Sequence, residues 1–349
     1  MRNNIIEEDL QRIVNIPLPW DNFAGKTVLV TGANGFIAAY LVESLLYLNE
    51  RRRTHLTRVI CLVRNRVKAI RRFSHYRKRK DIVFWVQDVC DPIRHKEKID
   101  YIIHAASHAT PSKYGIDPVG TLLPNVLGTY HLLELARRQH IRGFLFVSVG
   151  EVYSDLPSGS DNIKEHYVGR TDSLAVRSCY AESKKMGETM CISWAHQYGI
   201  PVKIVRLFHT YGPGMQLHDG RVHSDFVGDV VENKDIVIRS DGYATRTFCY
   251  IADTVAGFFT VMLKGRVGEA YNVGSNQMLT VQKFAETILS LYPEKKLKII
   301  HDLKSQGNTY LPSSNKLLRP NLSKIQSLGW SVQYSLKEGL QRTVTSYVK

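Results

Sequence analysis

Cysteine is scarce: Cys61, Cys90, Cys179, Cys191 and Cys249 are odd in number, scattered, and never in CxxC spacing. That argues against a zinc ribbon or a disulfide framework and for a reducing compartment, the cytoplasm. No run of about twenty apolar residues occurs, so no transmembrane segment is expected. The opening Met1-Arg2-Asn3-Asn4, followed by Glu7, Glu8 and Asp9, lacks the apolar centre of a signal peptide. Thirteen histidines never fall in HExxH or HxH spacing, so no metal site is expected. There is no GxSxG elbow for a serine hydrolase, and the Gly35 loop lacks the GK[ST] with which a P-loop grips a nucleoside triphosphate. Internal repeats and low-complexity segments are also absent.

Acid is missing from one long stretch. Residues 51–80 hold thirteen Lys or Arg and no Asp or Glu, supplying most of the net charge of +15. Three readings stay open: a solvated basic surface, attraction of anionic nucleotides into a nearby cleft, or contact with acidic lipid headgroups or nucleic acid. No nucleic-acid motif accompanies the run, so nucleic acid is not an expected partner.

What is present is an alternation of short apolar runs and amphipathic stretches. An amphipathic helix and a Pro-containing arm, Pro17-Leu18-Pro19-Trp20, occupy residues 1–24. Strands are expected at 27–31, 59–63, 82–87, 101–104, 143–148 and 202–207, with helices at 36–49, 126–139 and 178–198. Such alternation specifies an α/β, Rossmann-like, doubly wound parallel sheet. From about residue 211 the rhythm breaks into Gly-, Asp- and Arg-rich loops with shorter elements. The expected organisation is an N-terminal extension (1–24), a dinucleotide-binding domain (25–210) and a smaller, interleaved substrate-binding region (211–349).

Two motifs carry chemistry. The turn Thr31-Gly32-Ala33-Asn34-Gly35-Phe36-Ile37-Ala38 follows a strand and opens a helix. Gly32 permits the tight turn, Gly35 close approach of a pyrophosphate, and Ala38 close helix–strand packing. The second motif is Tyr180 with Lys184, residues i and i+4 on one helix face. A Lys ammonium beside the Tyr hydroxyl favours the phenolate and makes Tyr180 a usable base near neutral pH.

Together these motifs resemble the extended short-chain dehydrogenase/reductase family that modifies nucleotide sugars, over about residues 25–340. The resemblance implies tightly bound, recycled NAD+ (alternatively NADP+), a nucleotide-diphosphate sugar such as a UDP-sugar as substrate, and a homodimer through a four-helix interface. By that likeness Asn34, Phe36, Ile37, Asn65, Asp88 and Val89 join Gly32 and Gly35 around the cofactor's adenosine and phosphates. Ala105, Ala106, Ser107, Asn125, Ser148, Tyr180 and Lys184 stand on its nicotinamide side. Pro111, Val149, Gly150 and His209 face the sugar, His209 replacing Asn in a turn otherwise like R-x-F-N-T-Y-G-P. Arg221 and Arg246 resemble the diphosphate clamp, and Asp253 stands in the Y-[IV]-x-D segment in a structural role.

Within the family the runs Ser178-Cys179-Tyr180-Ala181-Glu182-Ser183-Lys184-Lys185 and Gly212–Val222 are most similar to UDP-glucuronate decarboxylases. There are departures. The family's S-T-S-E-V-Y or S-T-D-E-V-Y reads Ser148-Val149-Gly150-Glu151-Val152-Tyr153. Val149 lacks the hydroxyl that would bond the sugar 4-hydroxyl, and Gly150 lacks the acid of a 4,6-dehydratase. Glu151 remains, as a catalytic carboxylate at C5 or as a group that orders the site. At the end of strand two Arg64 stands where an acid usually meets the ribose, which suits NADP, whereas the decarboxylase likeness implies NAD. Decarboxylation, 4- or 5-epimerisation, 4,6-dehydration and a non-catalytic nucleotide-binding regulator all remain open.

Overall fold

A computed structural model describes residues 3–52, 54–154, 162–302 and 319–348. The central sheet is built from β1 (Thr27–Thr31), β2 (Arg58–Val63), β3 (Ile82–Val86), β4 (Tyr101–His104), β5 (Gly143–Val149), β6 (Val202–Leu207) and β7 (Ala270–Val273). Their order is β7-β6-β5-β4-β1-β2-β3, and every neighbouring pair is parallel. The strands read as near-continuous apolar runs because both faces of the sheet are covered. Strand order reverses between β1 and β4, and at such a switch point a crevice opens beyond the carboxyl ends of the strands.

Helix Phe36–Arg52 follows β1 and buries Ala38, Ala39, Tyr40, Leu41, Val42 and Leu45. Between β4 and β5 the helix runs Pro118–Gln139, starting well before the expected 126. Asp117 caps it by accepting from the Gly120 N–H at 2.9 Å, and Pro118 sits where its missing N–H is harmless. Gly120 and Pro124 are poor helix formers, but burial of Thr121, Asn125, Thr129, Leu132 and Leu133 overrides local propensity. Helix Cys179–Tyr198 packs beside it and ends on Gly199 in the left-handed conformation.

The C-terminal part is more regular than its sequence. An almost wholly buried helix, Ile251–Lys264, leads into β7, which pairs with β6 and so returns one strand to the sheet. The N-terminal helix Asn4–Asn15 lies against Phe36–Arg52 and Ile251–Lys264. It is pinned by the buried Asp9 carboxylate, which accepts from Tyr40 at 3.1 Å, Tyr250 at 2.8 Å and Arg342 at 2.8 Å.

Candidate active site

At the carboxyl end of β1 the chain turns at Gly32, whose φ is +63°. A Cβ there would lie 2.9 Å from the Ala106 Cα, so the left-handed turn and the close approach both require glycine. The partner segment is fixed by Thr31. Its Oγ1 accepts from the Ala105 N–H at 3.1 Å and the Ala106 N–H at 3.0 Å, and pairs with His104 Nδ1 at 2.9 Å. His104 Nε2 faces the Pro124 carbonyl at 3.2 Å. The carbonyl can only accept, so Nε2 carries the proton and Thr31 donates to Nδ1. Burial, and then the nearby Lys184, push the His104 imidazole down to about 3, which keeps it neutral. The ends of β1 and β4 are thereby clamped together at the switch point.

Gly35 is exposed and leads into the first turn of Phe36–Arg52, where Phe36 and Ile37 are half-buried and Asn34 sits on the turn. Helix N-terminal amides in that position suit an anion. At the end of β2, Arg64 forms an ion pair with Asp88 at 3.7 Å and a hydrogen bond with His108 Nε2 at 2.9 Å. Asn65 caps the following short helix by accepting from the Lys68 N–H at 2.9 Å. Asp88 also accepts from the Cys90 N–H, and Val89 packs so close to Gly128 that a Cβ there would sit 2.9 Å away.

Deeper in the crevice, Asn125 donates to the Thr121 carbonyl at 3.1 Å and to Ser183 Oγ at 3.0 Å. Its Oδ1, with Ser107 Oγ and Ser148 Oγ, is buried without a hydrogen-bond partner. Ser107 stands near enough to favour the Tyr180 phenolate slightly, although the pair falls short of hydrogen-bond geometry. A buried polar atom left unpaired costs about 1–3 kcal/mol. Three of them beside a glycine turn and an open helix N-terminus fit a dinucleotide.

Tyr180 departs from expectation. It is buried, and its ring stacks on Tyr114 with centroids 4.9 Å apart and planes at 16°. Lys184 Nζ does not reach its hydroxyl. It donates to the Val147 carbonyl at 2.7 Å and lies 5.9 Å from the centre of the Tyr180 ring. Burial pushes the Lys184 ammonium down to about 7, so it is a weak source of positive charge at neutral pH. The Tyr180 phenol is accordingly raised, first by burial and then by the Glu151 carboxylate, rather than lowered by Lys184. The i,i+4 spacing places both residues on one helix face, but the lysine turns inward to β5.

Glu151 follows β5 and is held by Arg177 at 2.9 Å. The same guanidinium lies 4.7 Å from the centre of the Tyr114 ring. Tyr180 and Glu151 line one cavity of about 130 Å³ with Tyr114, Val149, Gly150, His209, Arg221 and Arg246. Every expected sugar- or phosphate-facing residue is brought here except Pro111, which opens the helix Pro111–Ile116 and whose side chain lies outside the described residues. Lys184 is not in the lining. Arg221 is aimed by Asp219, which accepts from Nε at 3.1 and 3.0 Å, and Arg246 donates to the Thr245 carbonyl at 2.8 Å. His209 faces the cavity space while protein surrounds it, and this burial, with Arg246 and Arg221, pushes its imidazole down to about 3. Gly150 has a packing reason: a Cβ would meet the Phe208 ring at 2.9 Å.

Tyr114 and Arg177 were not identified from sequence. Arg177 stands three residues before Tyr180, yet nothing in that spacing tells of a carboxylate 26 residues upstream.

The fold and the cavity define an enzyme of the dinucleotide-dependent, epimerase/dehydratase type. Residues 28–274 match the NAD dependent epimerase/dehydratase family, and the chain belongs to it. UDP-glucuronic acid decarboxylase 6 of Arabidopsis thaliana is 33% identical over 325 residues, covering 90% of this chain and 86% of that protein. A dTDP-glucose 4,6-dehydratase from Streptomyces venezuelae, solved with NAD and TYD bound, superposes with a TM-score of 0.76 at 25% identity, covering 92% of this chain and 96% of that one. An epimerase from Methanothermobacter thermautotrophicus superposes with a TM-score of 0.80 over 99% of this chain and 96% of its own, at 24% identity.

Proposed function

We propose that the protein is a UDP-glucuronate decarboxylase, a lyase that works through a transient 4-keto sugar. The observation that carries this reading is the single cavity joining Tyr180, Glu151, Arg221 and Arg246, with glycine at the position of the dehydratase acid. NAD+, when bound, would supply a recyclable hydride acceptor for C4, so the reaction would involve no net redox. The Gly32 turn and the first turn of Phe36–Arg52 would hold its pyrophosphate, and Ser107, Asn125 and Ser148 its nicotinamide side. Arg64 is already countered by Asp88, which weakens the case for a 2′-phosphate and favours NAD over NADP.

Arg221 and Arg246 clamp the diphosphate, as guanidinium geometry allows. Tyr180 takes the proton of the 4-hydroxyl. Its phenol is raised in this state, so proton removal depends on nearby positive charge, of which Arg221 and Arg177 are the protein's contribution. Lys184 ties the Tyr180 helix to β5 and is the residue that would reach the nicotinamide ribose. A 4-ketone makes the C5 carboxylate a β-keto acid, which loses carbon dioxide. Glu151, facing the cavity and aimed by Arg177, stands to relay a solvent proton to C5, where it takes the place of the departing carboxylate. Gly150 offers no acid for elimination at C6, which sets aside the ordinary 4,6-dehydratase.

A homodimer is part of the proposal. The paired helices Pro118–Gln139 and Cys179–Tyr198 expose Leu122, Leu127, Tyr130, Met186 and Ile192, an apolar surface that a second copy would cover. Among the described residues no helix is long and apolar enough to cross a membrane, and all five cysteines are free. We further propose, from the family likeness, a cytoplasmic role in making precursors for polysaccharide synthesis. The test is Tyr180→Phe assayed with UDP-glucuronate. A positioned general base contributes about 10²–10⁴-fold, so turnover falls by that factor while UDP binding persists. Unchanged turnover contradicts the assignment of Tyr180, and no turnover in the unaltered protein favours a binding or regulatory role.

A further inference from the structure

The acid-free stretch spans the end of the helix Phe36–Arg52, strand β2 and the connection to β3, the edge strand of the sheet. Its acidic neighbours in space are already engaged: Asp21 holds Arg52, Glu97 holds Arg58, Asp88 holds Arg64, Glu43 faces Arg72, and Glu50 and Asp81 hold Arg79. Arg66, Lys68, Arg71, Arg77, Lys78 and Lys80 are exposed and have no ion-pair partner among the described residues. The short helix Arg66–Arg72 turns Ala69 inward and presents the opposite face to solvent. At about 100° per residue, Val67 lies at the middle of that outward arc. Arg71 shares that middle with it, Ile70 and Lys68 lie at the two flanks, and Arg66 lies farther round. Val67 is 77% exposed and Ile70 47%. The outward face thus sets exposed apolar side chains, Val67 at its centre and Ile70 at its margin, directly among cations.

We propose that this edge docks on an anionic lipid surface, with Val67 and Ile70 entering the headgroup boundary and the surrounding cations meeting lipid phosphates and carboxylates. Apolar side chains ringed by Lys and Arg are what an interfacial helix presents to a bilayer. A polyanion such as nucleic acid would use the cations and leave Val67 and Ile70 in water. None of these side chains lines the sugar cavity, and because the helix starts beside Arg64 and Asn65 on the cofactor side, vesicle binding rather than turnover is the readout.

The test is co-sedimentation of the full chain with phosphatidylcholine vesicles, with and without phosphatidylserine. Binding is expected only with the anionic lipid. It should vanish at about 1 M salt, where the Debye length shrinks to roughly 3 Å. A cation near an anionic leaflet contributes ~1 kcal/mol, or about fivefold in affinity. Arg66→Gln, Lys68→Gln and Arg71→Gln together should therefore weaken binding by roughly 100-fold. Val67→Ser with Ile70→Ser should weaken it by about tenfold, and both variants should melt like the unaltered protein. Equal binding to the two vesicle types, no binding to either, or a charge variant that binds normally overturns the proposal. So does tight heparin binding that the serine variant leaves intact, which would assign the face to a polyanion instead.

Discussion

Val149 stands at the end of β5, paired with Leu207, half-buried, with its side chain in the cavity beside Tyr180 and Glu151. The family's Thr is isosteric, so Val149→Thr places a hydroxyl at one γ position without changing the volume packed against the Phe208 cluster. The replacement removes one partly buried methyl, at a stability cost of no more than about 1 kcal/mol. If the sugar 4-hydroxyl lies where the mechanism requires, the new hydroxyl gains one hydrogen bond. That is worth about 0.5–1.5 kcal/mol net, or roughly 2- to 13-fold. The assay is kcat/KM for UDP-glucuronate at saturating NAD+, with the melting temperature as a check on folding. A rise in that range is expected. An unchanged or reduced kcat/KM in a normally folded variant refutes the placement of the sugar against β5.

Gly32→Ala should lower the melting temperature and empty the cofactor site. A left-handed non-glycine residue costs about 1–2 kcal/mol, and the new methyl would sit 2.9 Å from the Ala106 Cα; nucleotide released on denaturing the purified variant measures it. His104 sets an acid limit. Its folded-state value of about 3 lies below the ordinary 6.5, so below pH 6.5 the unfolded chain takes a proton that the folded one refuses. Stability should fall by about 1.4 kcal/mol per unit between pH 6.5 and 3 from this group alone. Urea melts of the wild type and His104→Gln should show that slope in the first and a shallower one in the second. Asp253 behaves in the opposite sense. Its buried carboxyl is raised from 3.8 to about 7 while accepting from the Gln333 and Tyr334 N–H groups at 3.0 Å. Its contribution is therefore favourable at low pH and lost as pH rises from 3.8 through 7. Asp253→Asn, which can still accept both bonds, should be the more stable protein at pH 8 and equal to wild type near pH 4.

Much of the sheet was legible because β1 to β6 are apolar runs long enough to show against the helices between them. The seventh strand was not. Ala270–Val273 is four residues long and follows a helix apolar on nearly all sides, so neither period stands out. The glycine turn was legible because backbone geometry at Gly32 tolerates no other residue. The Tyr180/Lys184 spacing gave the shared face but not the direction of the lysine, which is set by a carbonyl on another strand. The Tyr114–Tyr180 stack joins residues 66 positions apart, and the Arg177–Glu151 pair joins the start of one helix to the end of a strand. Contacts of that kind come from topology, and no local pattern announces them.

Mass spectrometry of UDP-glucuronate after incubation with the purified protein and NAD+ tests the central claim most directly. Loss of the mass of carbon dioxide, with no net reduction of NAD+, is the predicted result. A product of unchanged mass with inverted C4 would make the protein an epimerase, and an untouched substrate would contradict UDP-glucuronate as its sugar.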